Sequence, residues 1–366
     1  MAFHNYILIA LSVILLAFLV IQAKRKLIKK AWLKRLINTV AIVAVAIMVL
    51  AVVLFPGLTG VKTTGSYAYA SLTFELPDES RIESFKNDGS FRKLSVLVYF
   101  PDTDVLLNRS CPLIVFSHGG ISFATSNISL YKELASHGYV VVSIDHTYHA
   151  LYTKIGGKTI FIDSGYMNEL NTENSHKDIE NSFNYFQKWM DLRISDINFI
   201  IDAFIESASK EGNSFYNLID IDNIGVIGHS LGGSAALGVA RQRSDVKAAV
   251  ALESPYMSDI TGVDGDNFTW NTTPYSCAIM NIYSDSGYPL IEADNKYVQN
   301  RNYLYNSGNV EYYYIQGSNH YTLTDLVRTS PILCAVLGGG YQKSGYDTLE
   351  FVNQKCVAFF DRYLRV

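Results

Sequence analysis

The 366-residue sequence predicts an α/β fold, a mostly parallel central sheet covered by helices on both faces, preceded by two transmembrane helices. Three observations carry this reading. From Leu113 onward, short apolar runs alternate with helical stretches, as expected for parallel strands joined by crossover helices. Within that pattern, Asn223 to Gly233 reads as an apolar strand, a Gly228-His229-Ser230-Leu231-Gly232 turn and a helix over Leu231 to Ala240. Two apolar runs, Tyr6 to Ala23 and Leu36 to Leu54, each approach the ~20 residues that cross a bilayer.

Composition narrows the class. Charged residues are 17% and aromatics 13%, with 25 tyrosines, which argues against disorder. A net charge of −4 gives no reason to expect a nucleic-acid partner. Between the two apolar runs, Lys24 to Arg35 carries seven basic residues in twelve. A signal peptide would carry its basic residues before the apolar core, and Met1 to Tyr6 has none. A soluble hairpin would not need two unbroken apolar runs. Two spans with the basic loop in the cytoplasm is therefore the expectation, with everything after Leu54 outside a cell membrane. Phe55 to Gly60 breaks the second helix and serves as linker. The expected division is an anchor over 1–59 and a catalytic domain over 60–366. Cys111, Cys277, Cys334 and Cys356 show neither Cys-x-x-Cys nor metal-ligand spacing. Asn108, Asn127, Asn267 and Asn271 stand in Asn-x-Ser/Thr sequons, which the sequence alone does not make functional.

Along the outer part, Tyr67 to Leu76 and Lys93 to Phe100 read as strands, with polar Asp78 to Gly89 as the loop between them. Leu113 to Phe116 is a buried strand ending in Ser117-His118-Gly119-Gly120. Ser129 to His137 is helical, and Tyr139 to Ile144 is the next strand. Thr147 to His176 is irregular and long for a connection, which suggests a lid or substrate-binding insertion. A long helix over about Lys177 to Ser207 precedes the elbow strand Ile224 to Ile227. Strands follow at Lys247 to Leu252, Cys277 to Tyr283 and Val310 to Ile315, and a last helix covers about Thr348 to Tyr363.

The chemistry centres on Ser230. A Gly-x-Ser-x-Gly turn between strand and helix lifts a serine hydroxyl above the sheet, and the two glycines leave room for the tight turn. A serine hydroxyl is a weak nucleophile unless a base takes its proton and a third group orients that base. In this arrangement acid and histidine follow the serine in that order. Of eight histidines only His320 lies after Ser230, in Gly317-Ser318-Asn319-His320 just past a strand. His229 is too close along the backbone to face Ser230, and His118, His137, His146 and His149 precede it. The oxyanion of a tetrahedral intermediate needs backbone donors. The N–H of Leu231, at a helix N-terminus, is one, and the loop His118-Gly119-Gly120 supplies the other.

Five blocks occur in the order found in one family. They are Thr64-Gly65-Ser66-Tyr67, Phe116-Ser117-His118-Gly119, Leu134 to Val140, Gly228-His229-Ser230-Leu231-Gly232-Gly233 and Gly317-Ser318-Asn319-His320. In these the chain resembles the platelet-activating-factor acetylhydrolase family of α/β-hydrolases over about Gly65 to Leu364. The resemblance implies Ser230 as nucleophile, His320 as base, and Gly120 and Leu231 as oxyanion donors. It implies no metal or other cofactor. It also implies hydrolysis of short or oxidised acyl chains on phospholipids, or of other small esters. At the acid position, the end of the strand reaching Leu252, the family usually carries aspartate and this chain has Glu253. The rival acid is Asp285, after the strand Cys277 to Tyr283, where most α/β-hydrolases outside the family place theirs.

The leading expectation is thus a membrane-tethered serine hydrolase of lipid or small-molecule esters. A peptidase or polyester hydrolase shares the fold and the triad, which does not identify the leaving group. A non-catalytic binding module is the reading from another class, and it has no need of intact serine, histidine and glycine positions. Phe123, Tyr148, Tyr256 and Met257 lie near motif ends, where pocket lining and core packing are equally open to them.

Overall fold

In the computed structural model, residues 3–25, 28–102, 111–210, 215–306 and 310–365 are described. Lys26 and Leu27 of the basic loop and the sequon at Asn108 lie outside these residues. Two helices come first, α1 (Phe3–Arg25) and α2 (Ala31–Leu54). At 1.5 Å per residue each spans about 35 Å, long enough for the ~30 Å hydrocarbon layer of a bilayer. Their side chains are largely uncovered, and Ala41 is the one apolar residue of the pair that is buried among those described.

The remaining chain builds an eight-stranded sheet. Its first strands are β1 (Tyr69–Ile82), β2 (Phe91–Pro101), β3 (Cys111–Ser117) and, after α3 (Ile128–Ser136), β4 (Val140–Asp145). A small hairpin of β5 (Tyr152–Ile155) and β6 (Lys158–Phe161) leads to α4 (Ser164–Thr172) and the 30-residue α5 (Ile179–Ala208). Then come β7 (Ile219–His229), α6 (Leu231–Gln242), β8 (Val246–Leu252) and a second hairpin, β9 (Ile260–Asp264) with β10 (Asn267–Trp270). After β11 (Ala278–Ser284), the short α7 (Leu290–Ala293) and α8 (Val298–Asn306) precede β12 (Val310–Ile315). The chain closes with α9 (Leu326–Thr329), α10 (Pro331–Gly338) and α11 (Gly345–Leu364).

The sheet order is β1-β2-β4-β3-β7-β8-β11-β12. β1 and β2 pair antiparallel, β2 pairs antiparallel with β4, and every later neighbour is parallel. The register sets the function of this sheet. Ser117 stands opposite Gly228, His229 opposite Leu252, and Ser284 opposite Ile315, so five strands end at one edge. In open α/β sheets the carboxyl edge is where ligands bind, because side chains from several loops converge there.

Both faces are covered. α5 and α6 pack on one side through Phe186, Ile194, Ile197, Ile201, Phe204, Ala235 and Val239. α3 and α11 pack on the other through Leu130, Leu134, Val352, Phe359 and Phe360. Each large apolar side chain so buried contributes about 1.5–3 kcal/mol. α6 is buried from Leu231 to Ala240, which explains its run of glycine and alanine: larger residues would push it off the sheet.

Two expectations change, and one open choice is settled. β1 runs on to Ile82 through an irregularity instead of ending at Leu76, because polar does not mean exposed here. Asp78 and Glu83 are buried and pair with Arg81 and Arg92, which structures half of the expected loop. The stretch Thr147 to His176 is not irregular, since it holds the β5–β6 hairpin and α4. Tyr256 and Met257 are core residues rather than pocket lining. The four cysteines are unpaired.

Candidate active site

Ser230 stands between β7 and α6 at φ 54°, ψ −126°, the sharp strand-to-helix elbow expected of the motif. A β-carbon on Gly228 would lie 2.2 Å from the Gly232 carbonyl carbon, and one on Gly232 would lie 2.1 Å from Ser117 O. Neither position admits a side chain. A non-glycine residue at positive φ costs about 1–3 kcal/mol and persists where its surroundings fix it. Here the Ser230 N–H donates to Leu252 O at 2.8 Å, and the buried α6 begins on the next residue.

Glu253 shares this strain, at φ 53°, directly after β8. Its N–H donates to Ile282 O, and its carboxylate accepts from Ser284 N at 2.5 Å and Ser284 Oγ at 2.7 Å. Glu253 Oε1 lies 4.0 Å from His320 Nδ1. The longer side chain fits because residue 287 is glycine: a β-carbon there would stand 2.5 Å from Glu253 Oε1. Burial pushes the Glu253 carboxyl up to about 7, against the pull of its hydrogen bonds from Ser284 and Gly287.

His320 sits past β12 at the head of a short 3₁₀ turn, His320–Leu323. A capping box fixes that turn, with Asn319 Oδ1 accepting from Tyr321 and Thr322. Its backbone is held from two sides: the His320 N–H donates to Ser286 Oγ at 3.1 Å, and His229 Nε2–H donates to His320 O at 3.0 Å. His229 is therefore a brace for the histidine loop, a role its position beside Ser230 conceals in sequence. Burial lowers the His320 pKa below the usual imidazole value, which keeps the ring neutral near pH 7, while 27% of the side chain stays accessible.

Asp285 is exposed, and both its oxygens are taken: Oδ1 accepts from Tyr314 Oη at 2.6 Å and Oδ2 from the Gly317 N–H at 3.0 Å. It ties the loop after β11 to the loop after β12. Glu253 thus faces His320, Ser230 ends the neighbouring strand at the same edge, and Asp285 ties two loops together.

The loop after β3 lies against Ser230, since a β-carbon on Gly119 would be 3.5 Å from Ser230 Cβ. Gly120 accepts at its carbonyl from Tyr166 Oη at 3.2 Å. Beneath this loop is a polar network that sequence reading missed. Ser117 Oγ is 2.8 Å from His146 Nε2, and His146 Nδ1 is 2.9 Å from Asp196 Oδ2. Asp196 also receives Arg92 and Arg81. The connectivity is that of a serine–histidine–aspartate triad, but all three side chains are fully buried, so no substrate reaches Ser117. The available signal was Arg193 and Asp196 on the apolar stripe of α5, where charges are rare unless paired. Among the described residues, no group of three or more His, Cys, Asp or Glu could hold a metal ion.

The chain is similar to known proteins. The family described as platelet-activating factor acetylhydrolase, isoform II, matches residues 103–366. The chain belongs to that family. A platelet-activating factor acetylhydrolase of Cavia porcellus is 22% identical over 281 residues, 69% of this chain and 57% of that protein. One of Canis lupus familiaris is 28% identical over 166 residues, 39% of this chain and 35% of that protein. The chain thus spans a third to under three-fifths of these relatives. A cutinase of Thermobifida alba is 28% identical over 155 residues, 42% of this chain and 38% of that protein. The solved ferulic acid esterase of Streptomyces cinnamoneus superposes with a TM-score of 0.61 at 20% identity, over 84% of this chain and 94% of that one. That likeness establishes the α/β-hydrolase fold. Ahead of the matched residues, Gly65 N donates to Ser136 Oγ at 3.2 Å and Tyr67 N to Ser136 O at 3.0 Å, so the segments Thr64–Tyr67 and Leu134–Val140 are neighbours in space.

Proposed function

We propose that this acetylhydrolase-family member is a membrane-anchored serine hydrolase that cleaves carboxylic esters, with short acyl chains of lipids or small esters as substrates. One observation carries the reading: Ser230 and Glu253, two of the three non-glycine residues at positive φ among those described, end adjacent parallel strands, with His320 beside Glu253. Strained backbone persists where function requires it. In this account Ser230 Oγ attacks the acyl carbon, and its proton passes to His320 Nε2, the ring nitrogen that does not face Glu253. The carbonyl electron pair moves to the oxygen, which accepts from the N–H groups of Gly120 and Leu231. The intermediate collapses, His320 protonates the departing alkoxide, and an acyl-enzyme on Ser230 remains. Water then attacks with His320 as base, releasing the carboxylic acid and the free serine. The 4.0 Å gap between His320 and Glu253 is long for a hydrogen bond, as is common before substrate binds.

The anchor completes the proposal. α1 and α2, over the predicted spans 6–23 and 36–54, expose apolar side chains such as Ile14, Val40 and Ile47 at about 60%, which lipid would cover and water would not. With the basic loop 24–35 cytoplasmic, the catalytic part over 60–366 lies outside the cell membrane. The Thermobifida cutinases favour a second reading, a polyester as substrate on the same triad. Profiling p-nitrophenyl esters of increasing acyl length against a polyester film separates the two. Acetate-to-butyrate preference supports the first reading, and release of soluble acids from the film supports the second.

A further inference from the structure

We infer that Arg193 is a positioning residue that polarises the oxyanion donor Gly120, an inference that rests on the serine hydrolase reading above. Arg193, in the middle of α5, is fully buried. None of the ion pairs among the described residues includes it. On its own helix Asp191 is exposed, and the buried Asp196 is taken by Arg92, Arg81 and His146. A guanidinium left in the interior without a carboxylate is expensive, so its position calls for a reason.

Its donors supply one. Arg193 Nη1 donates to His118 O at 2.5 Å and Nη2 to Gly119 O at 3.2 Å, and Nη2 also reaches Tyr166 Oη at 3.5 Å. Gly119 O receives a second donor, His118 Nδ1–H at 2.7 Å. His118 is fully buried, and desolvation together with the Arg193 charge holds its pKa well below the usual imidazole value. A neutral ring protonated at Nδ1 leaves Nε2 to accept from His146 N, which it meets at 3.4 Å.

The carbonyl of Gly119 and the N–H of Gly120 belong to one peptide unit. In a trans unit they point to opposite sides, so a carbonyl turned toward Arg193 turns the Gly120 N–H away from it. Gly119 itself abuts Ser230. Hydrogen bonds polarise their neighbours, and those to a charged donor do so most strongly. A cation on the Gly119 carbonyl therefore strengthens the Gly120 N–H as a donor, at the moment an oxyanion forms in front of it. The same grip fixes where that N–H points.

Three variants of the full-length protein test this: Arg193→Met, Arg193→Lys and Tyr166→Phe. Tyr166→Phe removes the neutral bond to Gly120 O, which belongs to the following peptide unit, together with the 3.5 Å contact to Arg193 Nη2, and leaves both donors on Gly119 O in place. The readouts are kcat and KM on p-nitrophenyl acetate, inhibition by a trifluoromethyl ketone that forms a tetrahedral adduct on serine, and melting temperature. Arg193→Met should lower kcat by about 10- to 100-fold, less than the ~10²–10³ for loss of an oxyanion donor itself. KM should stay within about threefold, and inhibitor affinity should fall by the same factor as kcat. Arg193→Lys should recover part of both losses, and Tyr166→Phe should cost less than Arg193→Met. Should Arg193→Met fail to fold, Arg193→Lys decides, with a several-fold loss in kcat and inhibitor affinity expected at unchanged KM. A kcat loss without a matching loss of inhibitor affinity, or wild-type values in the variant that folds, would overturn the inference. A wild-type protein that neither hydrolyses esters nor reacts with a fluorophosphonate would instead sink the underlying reading.

Discussion

Replacing Glu253 by glutamine should reduce kcat by about 10³–10⁴ while leaving the fold intact, and the reason lies in the donors that surround it. The carboxylate accepts from Ser284 N and Ser284 Oγ and faces His320 Nδ1. Glutamine keeps the shape but brings an NH₂ group, which must face either the Ser284 donors or the imidazole N–H. In either orientation a donor meets a donor, and the charge that would stabilise the imidazolium is gone. Loss of a triad carboxylate costs ~10⁴ in kcat, or about 5.5 kcal/mol at 1.36 kcal/mol per tenfold. Asp285→Asn is the matched control. It loosens the ties to Tyr314 and Gly317 at an exposed site, and its effect should appear in melting temperature with kcat within about threefold. Ionisation supplies a second readout. Burial raises the Glu253 carboxyl to about 7, so the free enzyme takes up a proton there as pH falls. Wild-type kcat/KM should therefore decline on the acid side through about pH 7, and Glu253→Gln should lack that limb. Steady-state kinetics on p-nitrophenyl acetate from pH 5 to 9, with thermal melts, covers both. A large rate loss confined to Asp285→Asn would refute the assignment and leave the nucleophile untouched.

Other outcomes follow from the same geometry. Gly287→Ala puts a β-carbon 2.5 Å from Glu253 Oε1, which must displace the carboxylate, and kcat should fall at least about tenfold with the protein still folded; wild-type kcat would show that the close approach does not matter. Alkaline phosphatase fused after Val366 should be active and a fusion within Lys24 to Arg35 inactive, and the reverse pattern would overturn the topology. Residues 60–366 expressed alone should be soluble and hydrolyse p-nitrophenyl acetate, since the sheet and both apolar clusters over its faces arise after Gly60; aggregation of that fragment would show that the helices are part of the fold.

Strand and helix periodicity made most of the architecture legible. β12 coincides with the expected Val310 to Ile315, and α3, α5, β8 and α11 shift by a few residues at most. Ser230 was legible because Gly-x-Ser-x-Gly is a steric requirement of the elbow, visible as two glycines that admit no β-carbon. His320 followed from chain order, with no other histidine after the serine. The rest depends on tertiary contacts that leave little local trace. Asp78 and Glu83 read as loop residues because their partners Arg81 and Arg92 are held in place by joining Asp196 of the distant α5. Glu253 stands in sequence as the candidate acid with Asp285 as its rival, since neither its positive φ nor the room left by Gly287 is written in its neighbours. His229 and Arg193 act through backbone carbonyls of other loops, at His320 and at His118 and Gly119, which no spacing rule connects to them. Of the sequons, Asn127 is buried with its Nδ2 donating to Leu323 O, so that side chain is committed to the core.

Ser230 alone is expected to form the acyl-enzyme, although Ser117 lies 2.8 Å from a histidine nitrogen. Reacting the full-length protein with a fluorophosphonate and mapping the adduct by peptide mass spectrometry tests that claim directly. One adduct per chain is expected, on the peptide containing Gly228-His229-Ser230, and none in Ser230→Ala. An adduct on Ser117, or undiminished labelling of Ser230→Ala, would contradict it.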